Sequence, residues 1–207
     1  MRLLIATQNP HKLGEIRQIF ALPALELVAA SDLAASPAVI EDGATFEANA
    51  IKKAVTFALA AKLWALADDS GLEVDALEGA PGVFSARYAG EPVDYAANNA
   101  KLLRELAEVS DRKARFRCAI ALASPGGRAQ VVTGACEGRI IREARGARGF
   151  GYDPLFVPDG YEQTFAEMDG ALKNRISHRA AALRRARETW GEIFALRDAP
   201  PDWPARH

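Results

Sequence analysis

The sequence predicts an α/β fold in which helices flank a mixed β-sheet. In the first half, short apolar runs alternate with amphipathic or alanine-rich stretches, a pattern typical of alternating strands and helices. In the second half, the strand-like segments 114–123 and 129–141 are joined by Pro125, Gly126 and Gly127, which predicts an antiparallel hairpin. A sheet with both kinds of neighbour is mixed. A TIM barrel needs about 250 residues, so it does not fit this chain.

The composition is that of a globular protein. Hydrophobic residues make up 49% of the 207 residues and charged residues 26%, which excludes a disordered or collagen-like chain. No apolar run approaches the roughly 20 residues needed to span a bilayer, and the apolar start is too short for a signal peptide. The formal net charge of -1 argues against binding nucleic acid over the whole surface. We therefore expect a cytoplasmic protein without membrane or nucleic-acid partners, in which Cys118 and Cys136 are buried reduced thiols.

Each element has a local signal. The helix 12–20 shows helical apolar spacing, Thr45 is an N-cap for an alanine-rich helix over 46–63, and Asp94 can cap a helix to residue 107. The predicted strands are 2–6, 25–29, 64–67, 114–123, 129–141 and 155–157, with 72–77 extended and 78–92 a long loop. A long amphipathic helix covers 177–196. We predict one domain over 1–198 and a loosely held, proline-containing tail over 199–207.

The first candidate site is the turn between the first strand and the first helix. It consists of Thr7, Gln8, Asn9, Pro10, His11 and Lys12. Backbone N–H groups and the positive end of the helix dipole meet at such a turn, and Lys12 adds a full charge, so phosphate is the expected guest. An ordinary capped helix start with a solvated lysine is the alternative. The segment is not a P-loop, because GxxxxGK[ST] is absent.

The second candidate site is acidic. Asp68 and Asp69 follow an apolar strand, and Glu41 precedes a helix, so carboxylates could supply the oxygen ligands that Mg²⁺ prefers. Neighbouring residues of a strand point to opposite faces, so we expect one aspartate to face a cleft and the other to brace the loop. The alternative is a solvated Asp-Ser-Gly turn.

Two further clusters lie in the C-terminal half. In the glycine-rich segment 149–154, aromatic side chains could stack on a base and Asp153 could accept hydrogen bonds from a ligand; a tight turn with core aromatics is the alternative. Lys173, Ser177, His178 and Arg179 form a basic group, in which one continuous helix would place Lys173 and Ser177 on one face. Cationic, metal-binding and aromatic groups together describe a nucleoside polyphosphate with Mg²⁺.

Several motifs resemble those of the inosine triphosphate pyrophosphatase family, in the family's order and over residues 3–196. They are Leu4-Ile5-Ala6-Thr7-Gln8-Asn9-Pro10-His11-Lys12, Ala67-Asp68-Asp69-Ser70-Gly71-Leu72, the segment 79–88, Gly149-Phe150-Gly151-Tyr152-Asp153-Pro154 and Ile176-Ser177-His178-Arg179. One departure is visible: Ala48 stands where the family commonly has a glutamate of a capping box, at a cost of about 0.5–1 kcal/mol.

The resemblance implies an elongated mixed sheet, two lobes around a central cleft, and a homodimer. It implies hydrolysis of non-standard purine nucleoside triphosphates (ITP, dITP, XTP) to monophosphate and pyrophosphate, with Mg²⁺ as cofactor. Carried over by position, Glu41 and Asp69 would hold the metal and Asp69 would be the catalytic base. The substrate-binding residues would be Thr7 to Lys12, Lys53, Ser70, Phe150, Gly151, Tyr152, Asp153, Lys173, His178 and Arg179.

Two alternatives remain open at this point. One is a related house-cleaning pyrophosphatase for modified pyrimidine or methylated nucleotides, which would share the chemistry. The other is a nucleotide-binding protein without catalysis, against which the joint presence of Lys12, Glu41 and Asp69 argues.

Overall fold

The computed structural model describes residues 1–23, 25–196 and 200–203. The strands are β1 (Arg2–Ile5), β2 (Glu26–Ala29), β3 (Trp64–Val74), β4 (Lys113–Ala123), β5 (Ala129–Ile140) and β6 (Phe156–Pro158). The α-helices are α1 (Pro10–Ile19), α2 (Phe46–Ala61), α3 (Tyr95–Glu105), α4 (Gly170–Ile176) and α5 (His178–Phe194). No helix in these residues is long and apolar enough to cross a membrane.

The strands form one six-stranded sheet in the order β2-β1-β3-β4-β5-β6. Strand β1 is parallel to β2, with Leu3 opposite Leu27, and parallel to β3, with Leu4 opposite Ala65. Strand β6 is antiparallel to β5. Strands β4 and β5 are joined by a turn in which the Ser124 N–H donates to the Arg128 carbonyl at 2.9 Å. The mixed sheet with flanking helices is therefore confirmed.

The chain divides into two compact units. Unit 1 contains Met1–Asp69, Cys118–Gly134 and Ala182–His207, and unit 2 contains Ser70–Arg117 and Ala135–Ala181. Each unit has its own apolar core, and strands β3, β4 and β5 contribute residues to both units. Each unit can therefore be described by its own contacts.

Part of the C-terminal segment packs into the core of unit 1. The Trp203 ring lies 4.9 Å from that of Trp64 at an interplanar angle of 79°, and its indole N–H donates to the Arg128 carbonyl at 2.8 Å. The Trp64 indole N–H donates to the Pro200 carbonyl at 2.7 Å. The prediction of a loosely held tail is wrong for residues 200–203, because the aromatic surface of Trp203 is buried there. Residues 199 and 204–207 lie outside the described part.

The acidic motif lies inside a strand, where the sequence predicted a strand end. Strand β3 runs without a break through Asp68, Asp69, Ser70 and Gly71. The exposed fractions of Asp68 and Asp69 are only 0% and 7%, so the alternative of a solvated turn is wrong. Contacts with a lysine and an amide, described below, compensate for the burial of these carboxylates and override the turn preference of Asp-Ser-Gly.

The C-terminal helical region is two helices rather than one. Ser177 has an extended backbone (φ -67°, ψ 160°) between α4 and α5, so Lys173 and Ser177 do not share the face of one continuous helix. The Ser177 side chain accepts a hydrogen bond from the Ala180 N–H at 3.2 Å, which explains why α5 begins at this point. The predicted long helix is otherwise confirmed, with bounds of His178 and Phe194.

Candidate active site

The turn before α1 is held by its own side chains. The Asn9 Oδ1 accepts hydrogen bonds from the backbone N–H groups of His11 at 2.9 Å and Lys12 at 3.3 Å, which makes Asn9 the N-cap. The Thr7 Oγ1 accepts from the Asn9 N–H at 3.2 Å. Thr7 is buried, whereas Gln8, Pro10 and His11 are exposed. The backbone N–H groups of His11 and Lys12 therefore donate to Asn9, as in an ordinary capped helix start.

The two aspartates of β3 contact different partners, as the alternation of a strand requires. The Asp68 Oδ2 lies 3.1 Å from the Lys12 Nζ, and its side chain is completely buried. Lys12 is thus held in a buried ion pair and is not a solvated surface lysine. The Asp69 Oδ2 accepts a hydrogen bond of 3.0 Å from the Asn49 side-chain amide. The two carboxylates therefore have different partners, and which of them faces a ligand stays a prediction.

Burial dominates the electrostatics of Asp69. It raises the pKa of the Asp69 carboxyl above the usual value, because a charged form loses solvation in a dry environment. The positive charges of Lys12 and Lys53 and the Asn49 hydrogen bond act against this rise, while the negative charge of Glu41 adds to it. Asp69 is therefore a buried carboxyl that two lysines and one carboxylate influence directly.

Lys53 and Glu41 form the other half of this group. Their side chains make an ion pair of 2.9 Å, and the Lys53 Nζ also donates to the Asp68 carbonyl at 3.0 Å. Lys53 lies on the buried face of α2, whereas Glu41 precedes the helix and keeps 35% of its side chain exposed. We call Glu41, Asp68, Asp69, Lys12, Lys53 and Asn49 the carboxylate cluster; all six belong to unit 1.

The donor set of the carboxylate cluster fits a magnesium ion. Within the described ranges, no group of three or more His, Cys, Asp or Glu side chains is arranged to hold a metal. Mg²⁺ does not need one, because it is usually held by one or two carboxylates and completes its shell with waters and phosphate oxygens. Glu41 and Asp69 supply two hard oxygen ligands, and Glu41 is near enough to Asp69 to raise its pKa. Glu41 and Asp69 therefore fit a magnesium ion.

In unit 2, residues 149–153 form a tight turn that we call the aromatic loop. The Asp153 Oδ2 accepts a hydrogen bond from the Phe150 N–H at 2.9 Å, and the Asp153 N–H donates to the Phe150 carbonyl at 3.3 Å. Gly149 has a φ of 74°, and a Cβ at this position would meet the Asp153 Oδ2 at 2.0 Å. Only glycine fits there, since any side chain would push the Asp153 carboxylate away.

A buried ion pair anchors this loop. The Lys173 Nζ lies 2.6 Å from the Asp153 Oδ2, and the two side chains are 8% and 4% exposed. The same ammonium group lies 5.2 Å from the centre of the Phe150 ring and 5.7 Å from that of Phe165. Since Oδ2 of Asp153 is occupied by internal contacts, Asp153 fixes the loop, a role the sequence did not predict for it.

The two aromatic residues of the loop differ. Tyr152 is 3% exposed and its hydroxyl donates to the Ser85 carbonyl at 2.9 Å, so this ring belongs to the core of unit 2. Phe150 is half-buried, and its ring is tilted against that of Tyr95 at 6.2 Å between centroids. Phe150 is the ring of this loop that keeps exposed surface, while Tyr152 matches the alternative of a core aromatic.

The basic group at α5 is almost fully buried. The His178 ring stacks on Phe116 at 4.7 Å with an interplanar angle of 14°. Arg179 is 1% exposed and its Nη2 donates to the Ser70 Oγ at 2.9 Å. Two separate contacts therefore hold His178 and Arg179. Both residues belong to unit 2, together with Ser70, Phe116 and Lys173.

Two asparagines that contact these clusters were not predicted as site residues. Asn49 shares the buried face of α2 with Lys53, four residues further on. Polar residues at helical spacing within an alanine-rich buried face are the signal that could have identified it. On α3, the Asn99 amide donates to the Gly151 carbonyl at 3.1 Å and so fastens the aromatic loop. No comparable sequence signal marks Asn99.

Comparison with known proteins places this chain in a family. The chain is 52% identical over 196 residues to a dITP/XTP pyrophosphatase of Desulforamulus reducens, which covers 94% of this chain and 98% of the relative. It is 49% identical over 181 residues to a dITP/XTP pyrophosphatase of Desulfotalea psychrophila, covering 87% of this chain and 81% of the relative. The solved structure of the Staphylococcus aureus Ham1 protein superimposes with a TM-score of 0.84 at 38% identity, over 93% of this chain and 99% of the other. Since residues 3–189 also match the sequence model of the Ham1 family, the chain belongs to the Ham1 family, and the resemblance drawn from its motifs is confirmed.

Proposed function

We propose that this protein hydrolyses non-standard purine nucleoside triphosphates, such as dITP, ITP and XTP, to the monophosphate and pyrophosphate. The relatives named dITP/XTP pyrophosphatase support this function over almost the whole chain. The observation that carries it is the position of Asp69, a buried carboxyl with a raised pKa beside two lysines and a second carboxylate. A perturbed carboxyl in a cluster of charges is the usual sign of acid–base chemistry.

Asp69 is the proposed general base. Its ionised carboxylate takes a proton from the attacking water, whose oxygen forms a bond to the α-phosphorus while the bond from that phosphorus to the bridging oxygen breaks. The Asn49 amide donates to Oδ2 and so fixes the orientation of the carboxylate. Negative charge then develops on the leaving pyrophosphate, and cationic groups are needed to stabilise it.

The remaining members of the carboxylate cluster supply that charge. Residues Thr7 to Lys12 and Lys53 bind the phosphates, and the ion pairs of Lys12 and Lys53 with Asp68 and Glu41 hold the two ammonium groups in place. Glu41 and Asp69 would hold Mg²⁺. When bound, the ion would neutralise phosphate charge and lower the pKa of a coordinated water.

The aromatic loop and the basic group of unit 2 form the proposed binding site of the base. Phe150 offers a ring face for stacking, with Gly151, Tyr152, Asp153 and Lys173 shaping the loop. His178 or Arg179 donates to the 6-oxo group, and Ser70, which accepts from Arg179, contacts the substrate. Hypoxanthine and xanthine present a 6-oxo acceptor and an N1–H donor, whereas adenine presents the reverse pair. Adenine would leave two buried polar groups unsatisfied, which discriminates strongly.

A pyrophosphate-release assay on the full chain with Mg²⁺ tests the proposal. The substrates are dITP, XTP, dATP, dGTP, dUTP and TTP, with orthophosphate measured in parallel. We expect pyrophosphate as the direct product, with kcat/KM highest for dITP and XTP. A preference for pyrimidines would favour the related pyrophosphatase, orthophosphate as the direct product would indicate a phosphatase, and binding without turnover would indicate a nucleotide-binding protein.

The metal identity, a homodimeric assembly, a cytoplasmic location and the lack of nucleic-acid binding stay predictions. So does the assignment of residues 1–198 to one catalytic domain.

A further inference from the structure

A single buried amide joins two segments of the carboxylate cluster. The Asn49 side chain is 2% exposed and uses both of its ends. Its Nδ2 donates to the Asp69 Oδ2 on β3 at 3.0 Å, and its Oδ1 accepts from the Gly43 N–H at 2.7 Å. Gly43 lies in the segment before α2 that also carries Glu41, two residues earlier. Asn49 therefore connects the segment of one carboxylate to the other carboxylate.

The local backbone is shaped to permit this link. A Cβ on Gly43 would lie 2.6 Å from the Asn49 Oδ1, closer than real Cβ atoms approach, and 3.0 Å from the Cβ of Ala48. Glycine is therefore needed for the close approach, although Gly43 is not in a left-handed conformation. The Thr45 Oγ1 accepts from the Ala48 N–H at 3.1 Å and fixes the first turn of α2, from which Asn49 projects.

The chemistry of the two partners selects asparagine. A backbone N–H requires an acceptor, and an ionised carboxylate requires a donor, so one side chain must present a carbonyl and an amino group on opposite ends. Aspartate at position 49 would place a second carboxylate against Asp69. An apolar residue would leave a backbone N–H and a carboxylate oxygen without this partner, and such losses inside a protein are costly.

We infer that Asn49 is a positioning residue, which holds the Glu41 segment and Asp69 in a fixed relation before the metal and nucleotide arrive. The inference rests on the proposed function and goes beyond it by assigning the preassembly of the two carboxylates to one amide. Residues that orient metal ligands commonly contribute a factor of about 10 to 100 to metal affinity. A merely structural asparagine would contribute to folding and leave metal affinity unchanged.

Asn98 provides the matched control. It is also a buried asparagine near the start of a helix, at 1% exposure. Its Oδ1 accepts from the Ala89 N–H at 2.7 Å and its Nδ2 donates to the Ala86 carbonyl at 2.9 Å. Asn98→Ala thus removes these two hydrogen bonds and a longer one of 3.5 Å to the Ser85 carbonyl, all in unit 2, and none of them involves a carboxylate.

The test is Mn²⁺ binding to the full chain without nucleotide, followed by the electron paramagnetic resonance signal of free Mn²⁺. We expect Asn49→Ala to weaken Mn²⁺ binding about tenfold or more and Asn98→Ala to leave it within about twofold of wild type. The melting temperature, measured in parallel, should fall in both variants. Equal Mn²⁺ affinity in Asn49→Ala and wild type would overturn the inference. A wild-type chain that binds no Mn²⁺ would also overturn it, since the carboxylates would not be preassembled.

Gly43→Ala is a second variant that tests the same link while residue 49 stays asparagine. It tests the inference if Asn49→Ala does not fold. It should weaken Mn²⁺ binding in the same direction, because the new Cβ displaces the Asn49 carbonyl. In the double variant, the loss should not exceed that of Asn49→Ala alone, as expected for two residues that act through one link. Unchanged affinity in Gly43→Ala, or losses that add in the double variant, would contradict it.

Wild-type pyrophosphate release from dITP, measured on the same preparation, separates the two proposals. An inactive wild type that binds Mn²⁺ through the Asn49 link would remove the proposed function and leave the positioning role. An active wild type with unchanged Mn²⁺ affinity in both single variants would remove the positioning role and leave the proposed function.

Discussion

The two units bury charge in different ways. The carboxylate cluster of unit 1 holds three carboxylates, of Glu41, Asp68 and Asp69, against two ammonium groups. In unit 2, the aromatic loop contains one buried carboxylate that is matched by one ammonium group at 2.6 Å. The cluster thus has more carboxylates than ammonium groups, with Glu41 partly exposed, and this excess suits the binding of a cation. A neutral ion pair among aromatic rings suits a flat, uncharged base.

The contrast also separates function from stability. Burial raises the pKa of the Asp69 carboxyl, and so we expect its ionised form to cost stability at neutral pH. The Asp153–Lys173 pair is closed on itself and holds the loop together. Removing a charge should therefore have opposite consequences in the two units.

The largest expected effect is the loss of turnover in Asp69→Asn. Without an ionisable carboxyl, the attacking water keeps its proton, and kcat should fall about 10²- to 10⁴-fold, the usual contribution of a general base. The control is Asp42→Asn, the same chemical change at an exposed residue that pairs with Lys52 at 2.6 Å. Steady-state kinetics with dITP measure both variants, and wild-type turnover in Asp69→Asn would remove Asp69 from the chemistry.

A large effect on stability is expected from breaking the Asp153–Lys173 pair. Either Asp153→Asn or Lys173→Met leaves a charge buried without its counterion, and we expect the free energy of unfolding to fall by about 3–5 kcal/mol. The double variant should lose less than the sum of the single variants, because no unpaired charge remains. Urea unfolding gives the three values; additive losses would show that the pair is not coupled.

The smallest expected effect is a gain in stability, and it depends on pH. Folding raises the pKa of Asp69, so its favourable contribution is complete below the usual value of 3.8 and is lost as the pH rises through the folded value. At neutral pH with metal removed, Asp69→Asn should therefore melt at a higher temperature than wild type, and the difference should vanish towards acid pH.

Asp42→Asn is again the control for the pH effect, with the sign reversed. The hydrogen bond and charge of Lys52 lower the pKa of Asp42, so its small contribution is present at neutral pH and is lost at acid pH. This variant should melt slightly below wild type at neutral pH. Melting curves from neutral to acid pH compare the three proteins. A lower melting temperature of Asp69→Asn than of wild type at neutral pH would contradict the expected cost of burying the ionised Asp69.

Local signals were sufficient to predict the order of the strands and of the longer helices, whereas the short helix α4 was not predicted. The cap at Thr45 and the periodicity of α2 predicted that helix to within two residues, and the turn at 125–127 predicted the hairpin. The placement of Asp68 and Asp69 inside β3 could not be predicted, because it depends on Lys12 and Asn49, which are distant in sequence. Turn preference is a local property, and long-range pairing overrode it.

The conformation of residues 200–203 and the internal contacts of the aromatic loop also depend on residues distant in sequence. The prolines of the tail indicated a loose end, but burial of the Trp203 ring against Trp64 decides its conformation. The glycine-rich motif predicted a ligand contact for Asp153, which stays a prediction, but not its pairing with Lys173. Residue type and spacing predicted candidate site residues, whereas their partners depend on tertiary contacts that the sequence does not reveal.

The separate roles of the two units can be tested by one ratio, kcat/KM for dITP divided by kcat/KM for dATP. Thr7→Val removes a hydroxyl in unit 1 with little change of shape, and His178→Phe removes a ring N–H in unit 2 while a flat ring still stacks on Phe116. We expect a wild-type ratio far above one. In His178→Phe the ratio should drop about tenfold or more, as expected for a lost hydrogen bond to the base. In Thr7→Val turnover should be slower and the ratio unchanged. A wild-type ratio near one, or equal changes in the two variants, would contradict it.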